Sequence, residues 1–194
     1  MKYYSMCHEL SEGDYTNGEV FFSPPLQGYY GLGKEIDLNG VSVSVRLDKK
    51  IRLLKAEVFL TGCGAFFVSE KLKETIKELN TNLVFLAADI EYYSGKDVGK
   101  RYYLIHCEEF CWCFDYDASE YSGKPLVQKR RKAGEFNNDY KVRGVKKISI
   151  DRSKAGLLDL FFIGGVIWID PIVSERLVEA VEAARLPIRF LPLG

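Results

Sequence analysis

Four residues with metal-ligand chemistry fall within one short stretch: His106, Cys107, Cys111 and Cys113. A structural zinc site needs four nitrogen or sulfur ligands converging tetrahedrally, usually from two short pairs set apart in sequence. Here all four crowd into what reads as a single strand. Cys111 and Cys113 would share a face, Cys107 would join them only through a bend, and His106 would point the other way. Cys7 and His8 stand apart from them and supply no second pair. The expectation is buried reduced thiols, with no metal and no other cofactor. The neighbours Cys7–His8 and His106–Cys107 could in principle give a nucleophile and its base. Adjacent strand residues point to opposite faces, however, so neither pair makes that contact by itself. No G-x-S-x-G elbow occurs, and Gly31-Leu32-Gly33-Lys34 lacks both the glycine spacing and the Ser/Thr after Lys of a phosphate-binding loop.

Carboxylates offer a different chemistry. Asp115 and Asp117 are two residues apart on one expected strand face, about 7 Å between Cα atoms, a pairing that hydrolytic or metal-assisted catalysis could use. The same alternation puts Phe110, Trp112, Phe114 and Tyr116 on one face, opposite Glu109, Cys111, Cys113, Asp115 and Asp117. That pattern reads more simply as an aromatic core face backed by a solvated acidic one. Between His106 and Tyr121 there are carboxylates (Glu108, Glu109, Asp115, Asp117, Glu120) and no Lys or Arg. From Lys124 to Lys147 basic residues prevail, most densely at Lys129-Arg130-Arg131-Lys132, followed by Gly134 and Asn137-Asn138. This second stretch reads as an exposed loop or hairpin. Exposed carboxylates on a rigid strand can steer and anchor a basic partner. Glu109, Asp115, Asp117 and Glu120 are therefore candidate partner-facing residues, and Lys129, Arg130, Arg131 and Lys132 are the second charged candidate. Without interleaved aromatics or a helix-turn-helix pattern, the basic run does not make a nucleic-acid site.

These residues must be held by a scaffold, and composition bounds it. The chain has 194 residues, 47% of them hydrophobic, enough for a substantial core. Lys plus Arg and Asp plus Glu number 27 each, so no overall field attracts polyanions or membranes. The longest apolar run, Leu160 to Ile169, is too short to span a bilayer and reads as a buried strand or pair of strands. No apolar leader follows Met1-Lys2-Tyr3-Tyr4, and reduced cysteines suit a cytoplasmic setting.

Val41 to Leu47 alternates strictly, which predicts a half-buried strand with Val41, Val43, Val45 and Leu47 inward. Leu53–Leu60, Leu83–Leu86, Tyr102–Ile105 and Val145–Ile150 also read as strands. Phe66-Phe67-Val68 leads into Ser69-Glu70, a helix N-cap followed by an acidic first turn, and Leu72, Ile76 and Leu79 follow at helical spacing. Ile172-Val173, Ser174-Glu175 and Leu177, Val181, Ala184 repeat that arrangement before a final strand at Ile188–Leu191. Laid without gaps, Phe67–Leu86 and Ile172–Leu191 match at Val68, Ser69, Glu70, Leu72, Glu74, Phe85 and Leu86. The chain is therefore expected to be α+β, with two similar halves of mixed or antiparallel strands, each carrying one amphipathic helix in a strand–helix–strand repeat. The halves would be 1–95 and 96–194, able to pack as one domain.

The C-terminal half also resembles a family. Val173-Ser174-Glu175-Arg176-Leu177, a helix and then Ile188-Arg189-Phe190-Leu191-Pro192-Leu193 is similar to the ending of immunity proteins of bacterial polymorphic-toxin and contact-dependent-inhibition systems. Tyr102–Ile105 leading to Cys113–Tyr121, and Ile148–Asp151 with Gly156–Phe161, resemble that family's middle segments. The resemblance implies a cytoplasmic protein, not an enzyme, that binds a cognate toxin domain and neutralises it by occlusion. It implies no particular binding residues. The alternatives are a generic protein–protein adaptor, or a small enzyme using Asp115 and Asp117.

Overall fold

The computed structural model describes residues 2–8, 18–137 and 140–194; Asn138, part of the expected basic loop, lies outside the described residues, as do Met1 and 9–17. The strands are β1 (Tyr3–Met6), β2 (Gly18–Ser23), β3 (Ser42–Leu47), β4 (Val58–Leu60), β5 (Phe66–Ser69), β6 (Val84–Glu91), β7 (Tyr102–His106), β8 (Leu160–Phe161), β9 (Ile172–Ser174) and β10 (Phe190–Pro192). The helices are α1 (Glu70–Lys77), α2 (Lys124–Lys132), α3 (Arg152–Ala155) and α4 (Glu175–Ala183). The fold is α+β. The strands form a four-stranded sheet ordered β10-β1-β9-β8 and a six-stranded sheet ordered β2-β3-β6-β7-β5-β4.

The two strand–helix–strand segments are built alike. β5 and β6 flank β7, which runs antiparallel to both; β9 and β10 flank β1 in the same way. The registers keep step: Ser69 faces Tyr102 as Ser174 faces Tyr3, and Phe85 faces Ile105 as Phe190 faces Met6. The short strands β4 and β8 close the outer edges against β5 and β9. β7 follows β6 directly in sequence, whereas β1 comes from the far end of the chain to lie between β9 and β10.

The helices start where the sequence places them, and for a local reason. The Ser69 and Ser174 hydroxyls accept the amides of Leu72 and Leu177, satisfying donors that a helix N-terminus leaves unpaired. Each hydroxyl also donates to a buried carboxylate, Ser69 to Glu57 and Ser174 to Asp159. In both units the serine amide donates to that acidic residue's carbonyl at 2.9 Å, and the next amide to Arg101 or Lys2 at 3.0 Å. The apolar stripes of α1 and α4 meet: Leu72, Ile76, Leu177 and Val181 are all fully buried in one cluster with Val68, Val173, Ile105 and Met6. Strand alternation sends the other residues outward. Phe67, Tyr102 and Leu104 pack with Val43, Val45 and Leu47 behind the larger sheet. Tyr3, Phe161 and Ile172 pack with Cys113, Phe114, Tyr121 and Val127 behind the smaller one.

Four expected elements are corrected. The run Leu160–Ile169 forms strand only at Leu160–Phe161, and Ile167 and Ile169 are exposed. Leu53–Leu60 forms strand only at Val58–Leu60. Upstream, the Leu54 amide donates to the Tyr92 hydroxyl and the Ala56 carbonyl accepts from the Tyr102 hydroxyl, so side chains rather than a ladder satisfy this backbone. The stretch after His106 is not a strand either. Cys111 pairs with Ile163 and Phe114 with Ile150, in isolated bridges to different partners. The alternation breaks between them: Cys113 and Phe114 are both buried, while Trp112 is exposed. Its ring lies where a side chain on Gly164 would stand. Val145–Ile150 likewise contributes only single bridges, Lys147 to Glu120 and Ile150 to Phe114.

Candidate partner-binding surface

The basic run is a helix, not a loop. Lys129, Arg130, Arg131 and Lys132 form the last turn of α2, where cations complement the helix dipole, and Pro125 sits in its first turn. Both are start and stop signals readable in the sequence, and they outweigh the polar composition that suggested a loop. Buried Val127 anchors the helix to Phe114 and Tyr121. Lys129, Arg130 and Lys132 are exposed. Arg131 instead lies over the Tyr116 ring, 4.5 Å from its centroid, and 3.7 Å from Asp117.

The acidic candidates do not share one strand face. The Asp115 carboxylate accepts the amides of Asp117 and Ala118, both at 2.9 Å, and so caps the turn that follows it. Asp117 turns to α2, accepting from Gln128 at 3.1 Å, while its carbonyl accepts from Lys124 at 2.5 Å. The structure thus brings Asp117 and Arg131, one residue from each sequence-derived group, into a single ion pair. Glu109 and Glu120 are exposed, Glu120 in a backbone pairing with Lys147.

The cysteines are free thiols in different surroundings, and the expectation of burial holds for Cys107 and Cys113, while Cys7 and Cys111 are half-buried and Cys63 is exposed. Among the described residues no group of three or more His, Cys, Asp or Glu side chains is arranged to hold a metal ion. The His106 Nε2 lies 3.0 Å from the Lys34 carbonyl, which can only accept, so that nitrogen carries the proton. Burial lowers its pKa below the ordinary imidazole value, which keeps it neutral. Burial pushes the Cys107 thiol up to about 11 and also raises Cys7, which leaves both protonated and weakly nucleophilic near neutrality. A hydrogen bond with Cys113 lowers the Cys111 thiol and raises that of Cys113. His8 Nδ1 meets Asp170 at 2.5 Å.

Two grooves escape sequence reasoning because they join distant segments. β3 and β6 run parallel, so the chain before each strand meets at one end of the sheet and the chain after each at the other. At the first end a groove of about 660 Å³ is lined by Glu35, Asp37 and Glu108 together with Val84, Leu86 and His106. At the second, a groove of about 620 Å³ is lined by residues of 49–53 and 92–99.

Two sheets pack around the α1–α4 helix pair in one α+β fold. The chain belongs to the immunity protein family Imm11, whose model matches residues 16–191. Membership implies a toxin protein as the partner in general. No curated protein matches the chain. No helix among the described residues is long and apolar enough to cross a membrane.

Proposed function

We propose that this protein binds one cognate toxin domain and neutralises it by occlusion in the bacterial cytoplasm, protecting the cell that makes the toxin. The observation that carries this reading is the family match over nearly the whole chain. The toxin would belong to a polymorphic-toxin or contact-dependent-inhibition system. One contact surface this reading offers is the region of α2, with Lys129, Arg130 and Lys132 exposed beside the Asp117–Arg131 pair, and with Glu109 and Glu120. The two sequence halves, 1–95 and 96–194, would act as one body in that complex.

Co-expression of the chain with the toxin domain encoded by the neighbouring gene tests the reading. The expected result is rescue of growth, co-purification of a complex, and loss of toxin activity at one equivalent of the chain. Failure both to rescue and to form a complex would refute it. Charge reversal at Lys129 and Arg130 should slow association, more so at low salt.

A further inference from the structure

The groove at the second end of the larger sheet is lined by apolar and cationic side chains together. Leu53 and Tyr93 are 63% and 61% exposed. They line it with Ile51, and so do Lys49, Arg52 and Lys96. Its one carboxylate, Asp97, accepts the Gly99 amide at 2.5 Å. Large exposed apolar side chains gathered into one concavity mark an interaction site, and Tyr and Arg are the residues most enriched in interface hot spots.

The platform is also rigid. The Tyr92 amide donates to the Lys96 carbonyl and the Gly95 amide to the Tyr92 carbonyl, both at 2.8 Å, closing the turn that carries Tyr93. The Tyr92 hydroxyl accepts the Leu54 amide at 3.2 Å, tying that turn to the segment that carries Leu53. The Lys100 ammonium donates to the Lys55 and Ala56 carbonyls, both at 3.3 Å, and to Glu57 at 2.8 Å. A surface already ordered in this way loses little conformational entropy on binding.

We propose that Leu53 and Tyr93, together with Lys49, Arg52 and Lys96, anchor the toxin by taking an acidic face of it that offers an apolar side chain to the groove. The cationic side chains select the acidic partner by charge complementarity. The aliphatic Leu53 and Ile51 favour a protein surface over a nucleic acid, whose bases need flat stacking partners. This proposal rests on the toxin-binding reading above.

The test compares the full chain with Tyr93→Ala, Leu53→Ala and Lys49→Glu/Arg52→Glu/Lys96→Glu against the neighbour-encoded toxin domain. Dissociation constants and association rates are measured at low and high salt for each variant. All substituted side chains are exposed, and circular dichroism checks that each variant is folded. Tyr93→Ala should weaken binding by about thirtyfold. The triple charge reversal should slow association by about tenfold at low salt, an effect that fades at high salt. If the unsubstituted chain binds and these variants bind equally well, the platform proposal is overturned while the toxin-binding reading stands. If the unsubstituted chain does not bind at all, the reading itself fails and the proposal falls with it. Platform-dependent binding of a labelled 20-nucleotide oligonucleotide, or platform-dependent dimerisation in sedimentation, would also overturn it.

Discussion

Replacing Ser174 by alanine removes two interactions of one hydroxyl. The first is the helix cap on the Leu177 amide at 3.3 Å, and losing such a cap costs about 1 kcal/mol. The second is the hydroxyl's donation to Asp159 Oδ1 at 2.5 Å. Asp159 has no solvent exposure. Its other oxygen keeps the Asn80 amide at 3.0 Å and Arg176 at 3.5 Å, but Oδ1 loses this donor where water cannot reach. A hydrogen bond to a buried charged group is worth about 1.5–3 kcal/mol. Ser174→Ala should therefore lower unfolding stability by about 3 kcal/mol, a large share of the total for a protein of this size. Ser69→Ala should cost a similar amount, because Ser69 caps Leu72 and donates to Glu57, whose other oxygen keeps Lys100 at 2.8 Å. Urea denaturation followed by circular dichroism measures both, and the shift should lie in the midpoint and leave the slope unchanged. A double-mutant cycle of Ser174→Ala with Asp159→Asn should show coupling above about 1 kcal/mol. Losses below about 0.5 kcal/mol, or strict additivity in the cycle, would refute the assigned role of these hydroxyls.

Leu72→Ala and Leu177→Ala remove fully buried side chains from the α1–α4 contact and should each cost about 2–5 kcal/mol in the same assay. Gly165 adopts φ +78°, and a Cβ there would meet the Tyr116 hydroxyl oxygen. Gly165→Ala should destabilise by about 1–3 kcal/mol, and pairing it with Tyr116→Phe should recover part of the loss. His106 has its pKa lowered by burial from an ordinary value of 6.5. Below that value the unfolded chain binds a proton that the folded chain resists, so stability should fall as pH drops through 6.5 toward the folded-state pKa. His106→Gln should flatten this slope in denaturation curves taken between pH 5 and 7.

What could be read from the sequence was local. The Ser-Glu starts and apolar stripes of α1 and α4 specify those helices without reference to the rest of the fold, and the strict alternation of 43–47 specifies β3. The α2 signals were equally local, in Pro125 and the terminal cations, but its polar composition masked them. The alternation around Cys111–Asp117 misled because it assumed one ladder, whereas the segment changes partner between Cys111 and Phe114. The buried partners of the cap serines were hidden for another reason. Glu57 and Asp159 reach them only through β4 and β8, two short edge strands with no distinctive pattern. The groove between 49–53 and 92–99 depends on the parallel β3–β6 pairing, a contact that no nearby residue announces.

The placement of the exposed residues separates scaffold from recognition. The β4-β5-β7-β6 and β8-β9-β1-β10 units spend their helices on each other, and their caps and stripes face inward. Each unit carries a different addition: β2 and β3 extend the larger sheet beyond β6 and pack with the loops around them, and 107–155 packs on the smaller sheet. Every charged surface described above lies on these additions or at the strand ends they meet. On the toxin-binding reading proposed above, family members that meet different toxins can vary the exposed positions of their additions at little cost to the central core, since exposed loop positions tolerate change and packed ones do not. Among Imm11 members paired with different neighbouring toxins, substitutions should therefore concentrate at the exposed positions of 35–55, 92–99 and 107–155. The cap serines, Glu57, Asp159 and the α1–α4 stripe should stay constant in type. Equal variation in both sets would refute this division, because it would mean that the core itself is reshaped for each partner.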